Sequence, residues 1–231
     1  MLQFLREAIR DFRTTGAVLP SSPLLARAMV RSLAAAQAPR RILEVGPGTG
    51  PFTREILRHL RDGDLYDIVE INPAFCAQLE RTLLAPYRAR ATGARVALHR
   101  SPIEDASVDG SYDFVVCGLP FNNFPPSLVR SIFRRILALM RTGGELSYFE
   151  YAGVRVIKTP LVGSEGRRRI RGHRIIGKRH ARDHALTREL VIGNVPPAFA
   201  VRIVKSDPPA RRRSGDAKPA RATSASTGIL R

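Results

Sequence analysis

The chain has 231 residues, 44% hydrophobic and 25% charged, a balance that suits one globular domain with appendages and excludes a wholly disordered protein. Its net charge of +18 is uneven, since residues 1–154 hold 19 basic and 15 acidic side chains and residues 155–231 hold 19 and 5. That asymmetry points to a polyanionic partner, nucleic acid or an anionic membrane face, or else to a basic solubilising tail. No apolar run approaches the ~20 residues that span a bilayer, residues 1–13 are too charged for a signal peptide, and two cysteines cannot build a disulfide framework or a cysteine zinc site.

Residues 1–13 read as a short helix with Leu2, Leu5, Ile9 and Phe12 on one side and Arg6, Arg10 and Arg13 on another. This is the composition of an interfacial helix, and also of an ordinary helix packed on a core. Residues 14–20 break it. Ser22 then caps a second helix, with Pro23 in its first turn and its end near Ala36. Strand and helix signals alternate from there. Strands are expected at 41–45, 65–71, 95–99, 112–117 and 145–151, and helices at 52–60, 73–84 and 127–140. Two late strand runs, 189–192 and 199–204, flank Asn194-Val195-Pro196-Pro197 and form an antiparallel edge hairpin. The alternation predicts an α/β fold, a mostly parallel Rossmann-like sheet covered by helices on both faces. The domain plan expected is an amphipathic N-terminal membrane-contact helix over 1–20, a main domain over 21–205 carrying a basic insertion at 155–187, and a disordered Arg-rich tail over 206–231.

Glu44-Val45-Gly46-Pro47-Gly48-Thr49-Gly50 lies directly after a strand and before a helix. Glycines there let the backbone turn sharply and bring its N–H groups close to a ligand. The spacing is neither the dinucleotide fingerprint nor a P-loop. A carboxylate ahead of the glycines repels a pyrophosphate but can accept a hydrogen bond from a cationic or amine-bearing ligand. The five histidines show no metal-site spacing with cysteine or acids, so no metal is expected.

This E-x-G-x-G-x-G turn resembles motif I of class I S-adenosylmethionine-dependent methyltransferases, and the rest of that pattern follows in order. The resemblance implies S-adenosylmethionine as cofactor, held by Glu44, Gly46, Pro47, Gly48, Gly50, Glu70, Ile71, Ser101, Pro102 and Leu119. Glu70, at the end of the second strand, would bind the ribose hydroxyls, for which two acceptor oxygens are suited. Ser101-Pro102-Ile103 falls where the family contacts adenine, although many members have an acid at the position of Ser101. Gly118-Leu119-Pro120-Phe121 falls beside the methyl acceptor.

Four separated segments, 15–28, 43–53, 118–125 and 194–198, are similar to bacterial phospholipid and ornithine lipid N-methyltransferases. That resemblance implies methyl transfer to the primary amine of a membrane aminolipid, ornithine lipid or phosphatidylethanolamine, up to trimethylation. It also implies a cytoplasmic enzyme peripheral on the inner face of the cell membrane. Residues 167–182 hold eight Arg or Lys in 16, interleaved with Ile170, Ile175 and Ile176, and suit an anionic lipid surface or RNA. The competing reading is an rRNA or DNA adenine N6-methyltransferase, whose motif after the fourth strand opens with Asn or Asp where this chain has Gly118. The expected catalytic set is Tyr151, Asn122, Asn123, Phe121 and Pro120. The asparagines orient the amine, Pro120 and Phe121 shape the wall, and Tyr151 hydrogen-bonds the amine or takes its proton, with Tyr148 and Glu150 as weaker candidates and Arg155 or Lys158 available to a head-group anion.

Overall fold

Five short apolar runs, each followed by a helix or a long connection, assemble in parallel and are closed by one antiparallel hairpin. The computed structural model describes residues 21–90, 92–121, 124–152 and 184–206. The segment 1–20, most of the basic insertion, the tail from 207, and Asn122 and Asn123 lie outside the described residues.

The elements are α1 (Pro23–Ala35), β1 (Arg41–Val45), α2 (Pro51–His59), β2 (Leu65–Val69) and α3 (Pro73–Leu79). A π-helical turn (Glu80–Leu84) leads from α3 into α4 (Ala85–Arg88), followed by β3 (Arg95–His99) and β4 (Tyr112–Cys117). The chain continues with α5 (Pro126–Leu139), β5 (Met140–Tyr151), β6 (Ala185–Val191) and β7 (Ala198–Val204). The strand order is β3-β2-β1-β4-β5-β7-β6. β1 to β5 run parallel, and β7 pairs antiparallel with both β5 and β6. No helix among the described residues is long and apolar enough to cross a membrane.

Each face of the sheet carries its own core. On one, α5 presents Leu128, Val129, Ile132, Phe133, Ile136 and Leu139 at helical spacing to Leu43, Val45, Val115 and Leu146. On the other, Leu25, Met29 and Leu33 of α1 and Phe52 and Ile56 of α2 pack on Ile42, Tyr66 and Ile68. Each such side chain contributes about 1.5–3 kcal/mol on burial. The expected caps form: Ser22 Oγ accepts from Leu25 N–H, and Asn72 Oδ1 accepts from Ala74 N–H.

Three boundaries lie four or five residues from the sequence expectation, each for a physical reason, and the others shift by two or fewer. β5 begins at Met140 rather than 145, because Gly143 and Gly144 exchange backbone hydrogen bonds with Lys205 instead of ending the element. A Cβ at Gly144 would stand 2.8 Å from Tyr112 O, so only glycine lets the neighbouring backbones approach there. The helix expected to stop at 84 runs on to Arg88, with Ala85 N–H bonded to Glu80 O five residues back, ahead of Pro86. β6 starts at Ala185, since the polar Thr187 and Arg188 suit an edge strand.

At the N-terminal ends of the strands, Arg40 and Asp64 form an ion pair whose side chains are 2% and 0% exposed. Arg40 also donates to Leu33 O at the end of α1 and to His59 O at the end of α2. Asp64 accepts from the N–H groups of Arg40 and Arg61. Burial alone would raise the Asp64 carboxyl, but these donors and the guanidinium hold it below its ordinary value. Asp64→Asn leaves a buried guanidinium uncompensated and is expected to cost about 3–5 kcal/mol in chemical denaturation.

Candidate functional site

The turn after β1 is the centre of the site. Its three glycines have φ of +67°, +57° and +85° at Gly46, Gly48 and Gly50. The left-handed conformation is most consequential at Gly48, where nothing lies within 4 Å of the place a Cβ would take and the backbone faces open space. Gly46 N–H donates to Val69 O and Gly118 N–H donates to Val45 O, so the turn begins as a continuation of both neighbouring ladders. α2 follows at once from Gly50, with no side-chain cap on its first turn.

Gly118 is required by close approach. A Cβ there would lie 2.4 Å from the carbonyl oxygen of Gly46, a backbone atom that cannot swing away. Leu119 lies over Gly46 on the other side. The leading Asn or Asp of an adenine N6-methyltransferase motif thus has no room at position 118 in this backbone.

Two carboxylates flank the turn. Glu44 is fully buried, and one of its oxygens accepts from Thr53 Oγ1 at 2.7 Å and from the Tyr66 hydroxyl. Its other oxygen, Oε1, is buried with no hydrogen-bond partner. Burial pushes the Glu44 carboxyl up to about 7, against the pull of the two hydroxyl donors. Burial and the neighbouring Glu44 charge push the Tyr66 hydroxyl well above its ordinary value, so it stays a donor. Glu70, 5% exposed, accepts from Gly48 N–H at 3.1 Å through Oε2 and from Asn72 N–H at 2.8 Å through Oε1. Each Glu70 oxygen keeps a further lone pair. Burial raises its carboxyl too.

Further residues line the same end of the sheet. Ile71 is partly buried against the α5-side core, and Ser101 and Pro102 follow β3 in a half-buried segment. Ser101 Oγ and both carboxylate oxygens of Glu104 are buried without a partner. Pro47 is buried and Pro120 half-buried. Phe121 is 5% exposed, with its ring against Phe133 and Tyr148, so it braces the turn from the core side. Tyr148 belongs to that ring cluster, which is a packing role. Tyr151 ends β5 half-buried, edge-on to Phe149, and burial raises its hydroxyl. Glu150 is engaged by Arg188 at 2.9 Å. Asn122, Asn123, Arg155 and Lys158 lie outside the described residues.

Sequence reasoning missed Thr53, Tyr66 and Glu104. Tyr66 shares a sheet face with Glu44 only because β1 and β2 pair Glu44 with Ile68 and Ile42 with Tyr66, a register that no local motif encodes. It also missed a cleft of about 500 Å³ between the first turns of α1 and α2, lined by Ser21, Arg27, Thr49, Pro51, Arg54 and Arg58 among others. Among the described residues Arg58 pairs with Glu55, while the side chains of Arg27 and Arg54 have no ion-pair or hydrogen-bond partner.

Residues 42–144 match the family model of a methyltransferase domain. An ornithine lipid N-methyltransferase of Singulisphaera acidiphila is 28% identical over 141 residues, covering 61% of this chain and 72% of that protein. Among solved structures, the magnesium protoporphyrin IX methyltransferase ChlM of Synechocystis, with bound S-adenosylhomocysteine, is 15% identical. It aligns over 80% of this chain and 83% of its own, with a TM-score of 0.56. The N-methyltransferase NodS of Bradyrhizobium japonicum, also in complex with S-adenosylhomocysteine, is 16% identical over 78% and 83%, with a TM-score of 0.53. In its family match over residues 42–144, its relative and its fold, this chain is similar to class I S-adenosylmethionine-dependent methyltransferases, and S-adenosylmethionine is the methyl donor those likenesses support.

Two variants probe this geometry. Gly118→Ala forces the Gly46 turn to move and is expected to weaken S-adenosylmethionine binding at least tenfold in calorimetry. Glu44→Gln tests the buried carboxyl. An unfolded Glu44 ionises near 4.5 and the folded one near 7, so between those values the folded state holds the extra proton and stability falls as pH rises. Above pH 7 both states are ionised and the penalty is constant, a few kcal/mol at 1.36 kcal/mol per unit. Glu44→Gln is expected to flatten that slope in denaturation curves from pH 5 to 8 and to be more stable than the parent at pH 8.

Proposed function

We propose that this methyltransferase acts on the primary amine of a membrane aminolipid, ornithine lipid or phosphatidylethanolamine, adding up to three methyl groups. The observation that carries this reading is the similarity to an ornithine lipid N-methyltransferase across 72% of that protein's length. The steric closure at Gly118 supports it, because it leaves out the side chain with which an adenine N6-methyltransferase holds its flat amine.

The residues present suit the methyl donor. Gly48 offers an open backbone, and Glu70 keeps acceptor lone pairs for a ribose diol. Glu44 Oε1 is a buried acceptor awaiting a cationic donor, and Ser101 and Glu104 supply unpartnered polar atoms after β3. Gly46, Pro47, Gly50, Ile71, Pro102 and Leu119 complete this cradle. When bound, S-adenosylmethionine supplies an electrophilic methyl group on a sulfonium.

The chain's own part is to present a neutral nitrogen in line. A primary amine of the lysine kind titrates near 10.4 and is protonated at neutral pH, so the site must strip its water or accept its proton. Tyr151 remains a neutral phenol, since burial raises its hydroxyl further. It therefore positions the amine by hydrogen bonding and does not serve as a phenolate base. Asn122 and Asn123, outside the described residues, are the carbonyl acceptors proposed for the same amine, and Pro120, backed by Phe121, limits the space around it. Holding nitrogen and methyl in line at near-attack distance supplies most of the rate.

The decisive experiment is mass spectrometry of lipids from a host that makes both candidates and expresses this chain. Species of ornithine lipid or phosphatidylethanolamine bearing one to three added methyl groups are expected. If both lipids stay unmodified while the purified protein binds S-adenosylmethionine, the aminolipid reading fails and nucleic-acid adenine becomes the acceptor to test. Glu70→Ala should abolish S-adenosylmethionine binding with the circular dichroism spectrum intact, and unchanged affinity would remove Glu70 from the donor site.

A further inference from the structure

The turn between β6 and β7 sits at the catalytic end of the sheet. Tyr151, at the end of β5, pairs with Ala198, at the start of β7, and Ala152 N–H donates to Pro197 O at 2.6 Å. Residues 192–197 therefore lie beyond the same strand ends as the glycine turn. Five large apolar side chains are exposed among the described residues, and four lie on or beside this hairpin: Ile192 at 75%, Val195 at 67%, Leu24 at 51% and, on the sheet face opposite Leu24, Leu190 at 49%. The fifth, Val204, is at the opposite end of β7. Scattered exposed apolar residues need no explanation, but this grouping does.

The group is held out in water by a fixed support. Asn194 is 2% exposed; its Oδ1 accepts from Ser22 N–H at 2.8 Å, and its Nδ2 donates to Pro196 O at 2.7 Å. Gly193 packs so closely on Leu24 that a Cβ there would stand 2.4 Å from Leu24 Cδ1. The hairpin tip is thus pinned to the start of α1, and Ile192 and Val195 cannot fold back. Beside the tip, on the next turn of α1, is Arg27, which with Arg54 lines the cleft without an ion-pair partner among the described residues. An apolar edge flanked by free cations, on a chain of net charge +18, is complementary to an anionic lipid interface.

We propose that Leu24, Leu190, Ile192 and Val195 form a wedge that enters the head-group layer of an anionic bilayer and brings the mouth of the site against the lipid. This purpose rests on the aminolipid reading above. The wedge lies in the folded domain and needs nothing from residues 1–20 or 155–183. Penetration is of the order of ~5–10 Å, the depth at which interfacial apolar faces lie. At that depth the amine of a bilayer lipid reaches the strand ends without leaving the membrane.

The chain contains no tryptophan, so one introduced indole reports its own surroundings. Full-length Ile192→Trp is mixed with vesicles of phosphatidylglycerol in phosphatidylcholine. A blue-shifted emission, quenched by brominated acyl chains, is expected there, and no shift from Val204→Trp at the other end. The double variant Ile192→Glu/Val195→Glu should bind these vesicles about tenfold more weakly or worse, yet bind S-adenosylmethionine as the parent does. Unshifted Ile192→Trp emission, or parental vesicle binding by the double variant, overturns the wedge. A dissolved short-chain aminolipid separates the two ideas. If it is methylated while the indole stays silent, the wedge falls and the aminolipid reading stands. If the indole shifts and no aminolipid is methylated, the wedge stands and the substrate reading falls.

Discussion

The approach of Gly118 to the carbonyl of Gly46 is the constraint on which the catalytic end depends. β1 and β4 are neighbours in the sheet, and the chain leaves them in opposite directions, toward β2 from one and toward β5 from the other. Such a divergence opens a crevice beyond the strand ends. Its width here is set by two backbones in contact, with no side chain between them. The Gly48 N–H is then fixed by Glu70, and the Leu119 side chain closes over Gly46. Displacing any one of these atoms moves the others.

The two ends of the sheet divide the work of stability and of binding. At the N-terminal end of the strands the buried Arg40–Asp64 pair has its donors and acceptors matched to helix ends and strand starts. Toward the other end Glu44, Ser101 and Glu104 keep buried polar atoms unmatched, and so do Arg41 Nε at the start of β1 and Arg202 Nε in β7. An unmatched buried polar atom costs stability, and such atoms persist where a ligand completes them. The fold tolerates this because two separate cores, one on each face, hold the strands from which those residues project.

Much of this was readable from residues alone, for reasons that are local. β1, β3 and β4 are short apolar runs bounded by polar or glycine residues, and their limits match the structure. Ser22-Pro23 and Asn72-Pro73 announce their helices through capping chemistry. The glycine turn and the acid after β2 are likewise contained in a few residues each. What escaped was long-range. The extension of β5 through Gly143-Gly144 depends on Lys205, some sixty residues on. The hydroxyls that hold Glu44 come from a helix and a neighbouring strand. Asn194 reads in sequence as part of a turn, and only the fold shows that it grips the start of α1.

The placement of β7 between β5 and β6 has a consequence for the order in which the chain is made. β5 is complete at Tyr151, but its antiparallel neighbour begins only at Ala198. During synthesis at roughly 5–20 residues per second, β5 therefore stays an open edge for about 2–9 seconds. An unpaired edge is a template for another chain. The intervening stretch is rich in Arg and Lys, and like charges on neighbouring nascent chains repel each other during that interval. The cations of that stretch thereby guard the sheet while its last strand is still on the ribosome.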